Sequence, residues 1–144
     1  MIDELYSREI LRRTTQLEHV GRLDTPDGAA DRVSKLCGST IHVEVKVADG
    51  IITDFAQEVE ACALGQASAA ILSQSVIGAP VAEVTAARDA MKAMLKGGDF
   101  TYPERFADFA ILKSVKDFPA RHTSTLLALE ATVEAAGKAG SGAD

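Results

Sequence analysis

The chain has no tryptophan, and aromatic residues make up only 5% of it. Its core must therefore be built from Ala, Val, Leu and Ile rather than from large rings. It also lacks a basic excess: 15 Lys and Arg stand against 21 Asp and Glu, a net charge of −6. Nucleic acid is excluded as a partner on that ground, because binding it depends on cations that neutralise phosphates. No apolar run approaches the ~18 residues of a membrane-spanning helix. Met1-Ile2-Asp3-Glu4 puts acids where a secretory signal carries basic residues. A cytoplasmic protein without a membrane partner is the expectation. Cys-x-x-Cys and Gly-rich phosphate loops are absent, and no serine has a placed base and oxyanion hole. These absences argue against thioredoxin-like, nucleotide-binding and hydrolytic chemistry. Two cysteines are too few for a disulfide framework, and in a reducing compartment they serve as buried or as functional thiols.

What is present suffices for one domain of 144 residues, 47% of them hydrophobic. Ile2, Leu5, Tyr6, Ile10 and Leu17 fall mainly on one stripe of a helix from Ile2 to about Val20, which Gly21 and the Asp27-Gly28 turn end. Ala29 to Leu36 reads as a short strand with Val33 inward. The clearest strand is Ile41–Val47, with Ile41, Val43, Val45 and Val47 on one face and His42, Glu44 and Lys46 on the other. Asp49-Gly50 is a hairpin turn, and the return strand is Ile51 to Glu60 with Phe55 and Val59 inward and Gln57 as an interruption. Helices follow: one of small residues after Cys62, one from Val81 to Leu95 behind Pro80, a segment after Pro103 with Phe106, Phe109 and Leu112 inward, and a last one from about Ser124 to Ala136. Residues 1–136 are expected to form the domain and 137–144 a flexible tail. Strands early and helices late predict an α+β fold, a small antiparallel three-stranded sheet covered on one face by helices. Val43, Val45, Phe55, Val59, Ile71, Leu126 and Leu129 are the expected core.

The two cysteines lie where these patterns break. Cys37 stands in Leu36-Cys37-Gly38-Ser39, before the clear strand, and Cys62 stands at the N-terminus of the small-residue helix. Turns and helix N-termini favour thiolate, so Cys62 is the better candidate for a lowered pKa. A hairpin joining the two can bring both to one end of the sheet. Buried thiols without function remain the alternative.

Leu36-Cys37-Gly38-Ser39, the Asp49-Gly50 hairpin, Cys62-Ala63-Leu64-Gly65-Gln66-Ala67-Ser68 and Phe118-Pro119-Ala120-Arg121 together resemble the NifU/IscU-type iron–sulfur scaffold family, nearest its SufU branch. Leu5-Tyr6, Ile10 and Gly21-Arg22-Leu23 are similar to that branch's first helix and the loop after it. The resemblance implies an iron–sulfur cluster assembly scaffold or carrier, with Cys37 and Cys62 as metal ligands or sulfur acceptors for iron, a labile cluster or zinc. It implies a cysteine desulfurase and recipient apo-proteins as partners, a monomer or homodimer, and no substrate turnover of its own, hence no enzyme. The family's Cys-Gly-Asp stands here as Cys37-Gly38-Ser39, and its third cysteine falls at Ser124. Two thiolates with neutral hydroxyls make a poor tetrahedral set. The resemblance thus leaves open a degenerate adaptor that binds the desulfurase without a cluster, and a structural zinc protein. Of the histidines, His42 reads as solvated on the polar strand face and His19 as sitting at a helix end. His122 adjoins the substituted ligand position and is a possible compensating ligand.

Overall fold

In the computed structural model, residues 7–36 and 38–142 are described. Cys37 and the first-helix residues Ile2, Leu5 and Tyr6 lie outside them. In chain order the elements are helix α1 (Arg8–Arg13), strands β1 (Gly28–Ser34), β2 (Ser39–Ala48) and β3 (Ile51–Glu60), helices α2 (Ala63–Ser75) and α3 (Val81–Leu95), a 3₁₀ segment (Glu104–Asp117), a short 3₁₀ turn (Pro119–Arg121) and helix α4 (His122–Gly142). The sheet is antiparallel throughout, ordered β1-β2-β3, with helices over one face, so the α+β architecture is the one expected. No helix among the described residues is long and apolar enough to cross a membrane.

The β2–β3 hairpin turns at Asp49 (φ 54°) and Gly50 (φ 76°), the left-handed pair that a tight two-residue turn requires. A bulge follows, since Lys46 faces Asp54 while Val47 faces Ile52. The extra residue turns both Ile52 and Phe55 inward, an offset of three that a strict two-residue alternation would not give. The inner face of the sheet carries Ala30, Ile41, Val43, Val45, Ile52 and Phe55, all buried. Ile71 and Leu129 close over it as expected, while Val59 and Leu126 pack against the core half-buried.

Several expectations are corrected. Val33 points outward, 55% exposed, because Gly28, Ala30, Arg32 and Ser34 form the face turned to α4 and Arg32 reaches Glu134 there at 2.9 Å. The described first helix ends at Arg13, not near Val20: Thr14 and Thr15 turn their hydroxyls back onto the carbonyls of Leu11 and Arg12. His19 is consequently in a loop at φ 60°, edge-on to Phe55, and not at a helix end. Gln57 is no interruption. Fully buried, it donates from Nε2 to the Glu18 and Ala69 carbonyls, while its backbone pairs with His19 and Gly21. One polar side chain thus ties the loop after α1 to the edge of β3. Helix α4 runs past Ala136, and the buried Ala139 holds the segment that was expected to be tail.

His42 is not solvated. Its side chain is 16% exposed, with Nδ1 2.8 Å from Asp31 and Nε2 2.8 Å from Glu44, whose other oxygen accepts from Leu23 N–H at 2.8 Å. Carboxylates at both ring nitrogens require a proton on each, so the imidazolium is the form that fits. The bond to Glu44 raises the His42 pKa above its ordinary 6.5 against desolvation, with help from Asp31. The same bond to His42 lowers Glu44 below its ordinary 4.5.

Two outcomes follow for stability. The His42 contribution is complete below pH 6.5 and is lost as pH rises through its raised folded value. The Glu44 contribution is present above pH 4.5 and is lost as pH falls through its lowered value. Urea midpoints of the wild type should therefore fall from about pH 6 to about pH 8.5, and His42→Asn should remove most of that slope. In a strand, Gly→Ala commonly stabilises, yet Gly28→Ala is expected to cost on the order of 1–3 kcal/mol. A Cβ there would overlap the Ala135 carbonyl and come within 2.7 Å of the Ala139 nitrogen. The midpoint of denaturant unfolding measures it.

Candidate functional site

Of the two cysteines, Cys62 is the one within the described residues, and Cys37 lies outside them. Cys62 is the N-cap of α2, half-exposed, with φ −65° and ψ 171°. Helix α2 is made of small residues and is buried on nearly all sides, from Leu64 and Gly65 through Ser73. That is why it forms no amphipathic stripe and can lie at close quarters with its neighbours. At Gly65 the approach reaches its limit: a Cβ would stand 2.8 Å from the Ala61 Cβ, 3.0 Å from Ser124 Oγ and 3.3 Å from the Ser124 carbonyl. The start of α2 is thereby pressed against the start of α4, and Ser124 is set beside Cys62.

Ser39 arrives from the first residue of β2. Cys62 Sγ lies 3.2 Å from Ser124 Oγ, which lies 3.0 Å from Ser39 Oγ, and Ser39 Oγ accepts from the Cys62 backbone N–H at 3.4 Å. The three groups close a ring. The amide can only donate to Ser39, and when the sulfur is a thiolate, an acceptor only, Ser124 gives its proton to sulfur and Ser39 gives its own to Ser124. Ser39 is 1% exposed and Ser124 fully buried, so each hydroxyl is satisfied by the others rather than by water.

Burial pushes the Cys62 thiol up, but the hydrogen bond from Ser124, the N–H groups of Gly65 and Leu64 and the charge of Arg121 outweigh it. The net result is a pKa below the ordinary 9.0. This is the direction expected at a helix N-terminus. Arg121 therefore acts on the site through its charge. His122 does not join the ring: its Nε2 is 3.0 and 3.2 Å from the Val115 and Lys116 carbonyls, closing the end of the 3₁₀ segment. The reading of His122 as a compensating ligand is corrected accordingly. Among the described residues no group of three or more His, Cys, Asp and Glu is placed to hold a metal ion. The described donors at this spot are one thiolate and two hydroxyls, which do not close a tetrahedral metal site.

The placing of Ser39 and Ser124 beside Cys62 is what the family resemblance implied. The parts that sequence reasoning missed are the directional hydroxyl ring and the role of Gly65, whose only signal was a glycine among alanines one turn into the helix.

A sequence-family profile described as NifU-like N terminal domain matches residues 5–125. The chain is similar to a Thermotoga maritima protein named iron-sulfur cluster assembly scaffold protein IscU, 28% identical over 131 residues that cover 91% of this chain and 92% of the relative. It is similar to a Bacillus subtilis protein named zinc-dependent sulfurtransferase SufU, 25% identical over 83% of this chain and 81% of the relative. In three dimensions it superposes on the crystal structure of a nitrogen-fixing NifU-like protein (N-terminal) from Brucella abortus, with a TM-score of 0.93, 46% identity and 97% of each chain covered.

Metal-free protein should react with iodoacetamide at Cys62 at pH values where an ordinary thiol, with its pKa near 9.0, is still protonated. Ser124→Ala is expected to move the midpoint of that rate profile upward. A profile unchanged by the substitution would show that Ser124 does not donate to the sulfur. Peptide mass mapping separates Cys62 from Cys37.

Proposed function

Because the chain belongs to the family of NifU-like N-terminal domains, we propose that it is an iron–sulfur cluster assembly protein that carries iron or a labile cluster as cargo on Cys62 and Cys37. The observation that supports this most is Cys62 itself. It is half-exposed at the mouth of α2, and its thiolate is favoured by Ser124, two helix N–H groups and Arg121. A thiolate held open to one side suits a carrier that must both accept and release. Cys37, two positions before Ser39 in the chain, supplies the second thiolate in this reading, and a homodimer would offer four. The relative named as a scaffold spans nearly the same length, which agrees with the role. A cysteine desulfurase delivers sulfur, recipient apo-proteins accept the product, the setting is cytoplasmic, and the chain turns over no substrate of its own.

A second reading rests on the two serines. Ser39 and Ser124 hydrogen-bond to each other at the positions where the family resemblance places a carboxylate and a third thiol. An adaptor that meets the desulfurase without holding cargo would keep the fold and need no further ligands. A zinc-binding role is the variant of this reading suggested by the relative named as zinc-dependent.

Anaerobic reconstitution with iron(II) and sulfide, followed by visible spectroscopy and metal analysis, tests these. The expected result is weak absorbance in the wild type, none in Cys62→Ser, and stronger, longer-lived absorbance when Ser124→Cys is combined with Ser39→Asp. The double change adds a soft thiolate and an anionic oxygen where two neutral hydroxyls stand. Colourless wild-type protein that binds no iron and still forms a complex with a cysteine desulfurase would leave the adaptor reading in its place.

A further inference from the structure

Lys113 and Lys116, in the most basic stretch after residues 32–35, take no part in the cargo site. Between the last turn of α3 and the first turn of α4 lies a groove of about 220 Å³, lined by Leu95 and Leu126 and bordered by Lys92, Lys96 and His122. Around the end of α3 a second concavity, of about 300 Å³, runs from Met94 and Gly97 to Lys113 and Lys116. Their linings are consecutive in the chain at Leu95, Lys96 and Gly97, which puts both at the end of α3 as one region of the surface.

Its charge is opposite to that of the chain. Four lysines surround it, with Arg121 next to His122, against the exposed Asp99 and Asp117, in a protein of net charge −6. Lys92 is loosely paired with Glu130 at 3.5 Å. Lys96, Lys113 and Lys116 are exposed and form no ion pair among the described residues. The α3 C-terminus accounts for a cation at Lys92 or Lys96, since that end of a helix is negative. It does not account for two more lysines brought to the same place by a different element, nor for the apolar lining between them.

We propose that this groove docks an acidic segment of a partner protein, seating an apolar side chain between Leu95 and Leu126 while the lysines meet the flanking carboxylates. Polyanions without apolar groups fit less well, because the groove lining is leucine and the rest of the chain repels them. His122 and Leu126 border the groove from one face of α4, while Ser124 meets Cys62 from the other, so a partner can sit here without covering the thiol. The inference goes beyond the cargo reading and does not depend on it.

The test uses the whole chain, metal-free and isotope-labelled, titrated with a synthetic Asp/Glu-rich peptide carrying one central phenylalanine. Amide shifts are expected at residues 92–98, 113–116 and 122–126, weakening with added salt, and absent with a Lys-rich counterpart. Combined Lys96→Glu, Lys113→Glu and Lys116→Glu, all at exposed positions, should lower affinity on the order of tenfold, and alanine in place of the peptide's phenylalanine should lower it again. Cys62→Ser should bind the peptide as the wild type does, so that failure of the cargo site and failure of the dock are read separately. Equal affinity in the charge-reversed variant, or shifts scattered over the molecule, would overturn the proposal. So would self-association abolished by the same reversal, which would assign the surface to a second copy, or binding to anionic phospholipid vesicles in place of the peptide.

Discussion

The close approach of α2 and α4 at Gly65 governs the rest of this structure. With no room for a side chain between Gly65 and Ser124, the N-terminus of α2 cannot move away from the start of α4 without opening a void. The α2 helix can sit there because its first turns are built mostly of small residues, Ala67, Ser68, Ala69 and Ala70 following Gly65. Interiors of this density transmit displacement rather than absorb it. A bulkier α2 would separate the two helices and, with them, the thiol from its hydroxyl partner.

At its other end α4 is fixed by a second glycine. Gly28 of β1 lies under Ala135 and Ala139 more closely still than Gly65 lies against Ser124. Between these two points Arg32 reaches from β1 to Glu134, and Glu130 receives Lys92 and Arg88 from α3. Such exposed pairs are individually worth little, and it is the two glycine contacts that set the register of α4 on the sheet. Since Ser39 opens β2 and Ser124 stands in the first turn of α4, that register decides whether the two hydroxyls meet. The hydroxyl ring at Cys62 is in this sense a readout of helix-on-sheet position.

Much of the fold was legible in the chain because its signals were local. The alternation Ile41–Val47, the Asp49-Gly50 turn and the Pro80 start of α3 each follow from one element's own chemistry. The misreadings share a different cause. Val33 carried the right hydrophobicity for an inward residue, but the helix facing β1 needed a glycine at 28 and space for the Arg32 stem, which turned the other set of residues outward. Gln57 read as an interruption because its partners, the Glu18 and Ala69 carbonyls, lie 39 and 12 residues away. His42 read as solvated because Asp31 comes to it from another strand. At the site, the meeting of Ser39, Cys62 and Ser124 was legible through the family resemblance. The direction of the ring was not, since it depends on the protonation of the sulfur.

The two serines also change what kind of thiol Cys62 is. A thiolate, carboxylate and second thiolate around it would share a cation, and each would be held by the metal. Neutral hydroxyls instead hold one another, and the sulfur receives a single hydrogen bond together with the field of α2 and Arg121. The negative charge is then compensated by the protein alone, on one side, while the other side stays open. Such an arrangement lowers the cost of a free thiolate and lowers equally the gain from binding a metal, since the ligand no longer needs the cation. In the proposed carrier role, a single described thiolate flanked by two neutral hydroxyls would favour passing cargo on over holding it.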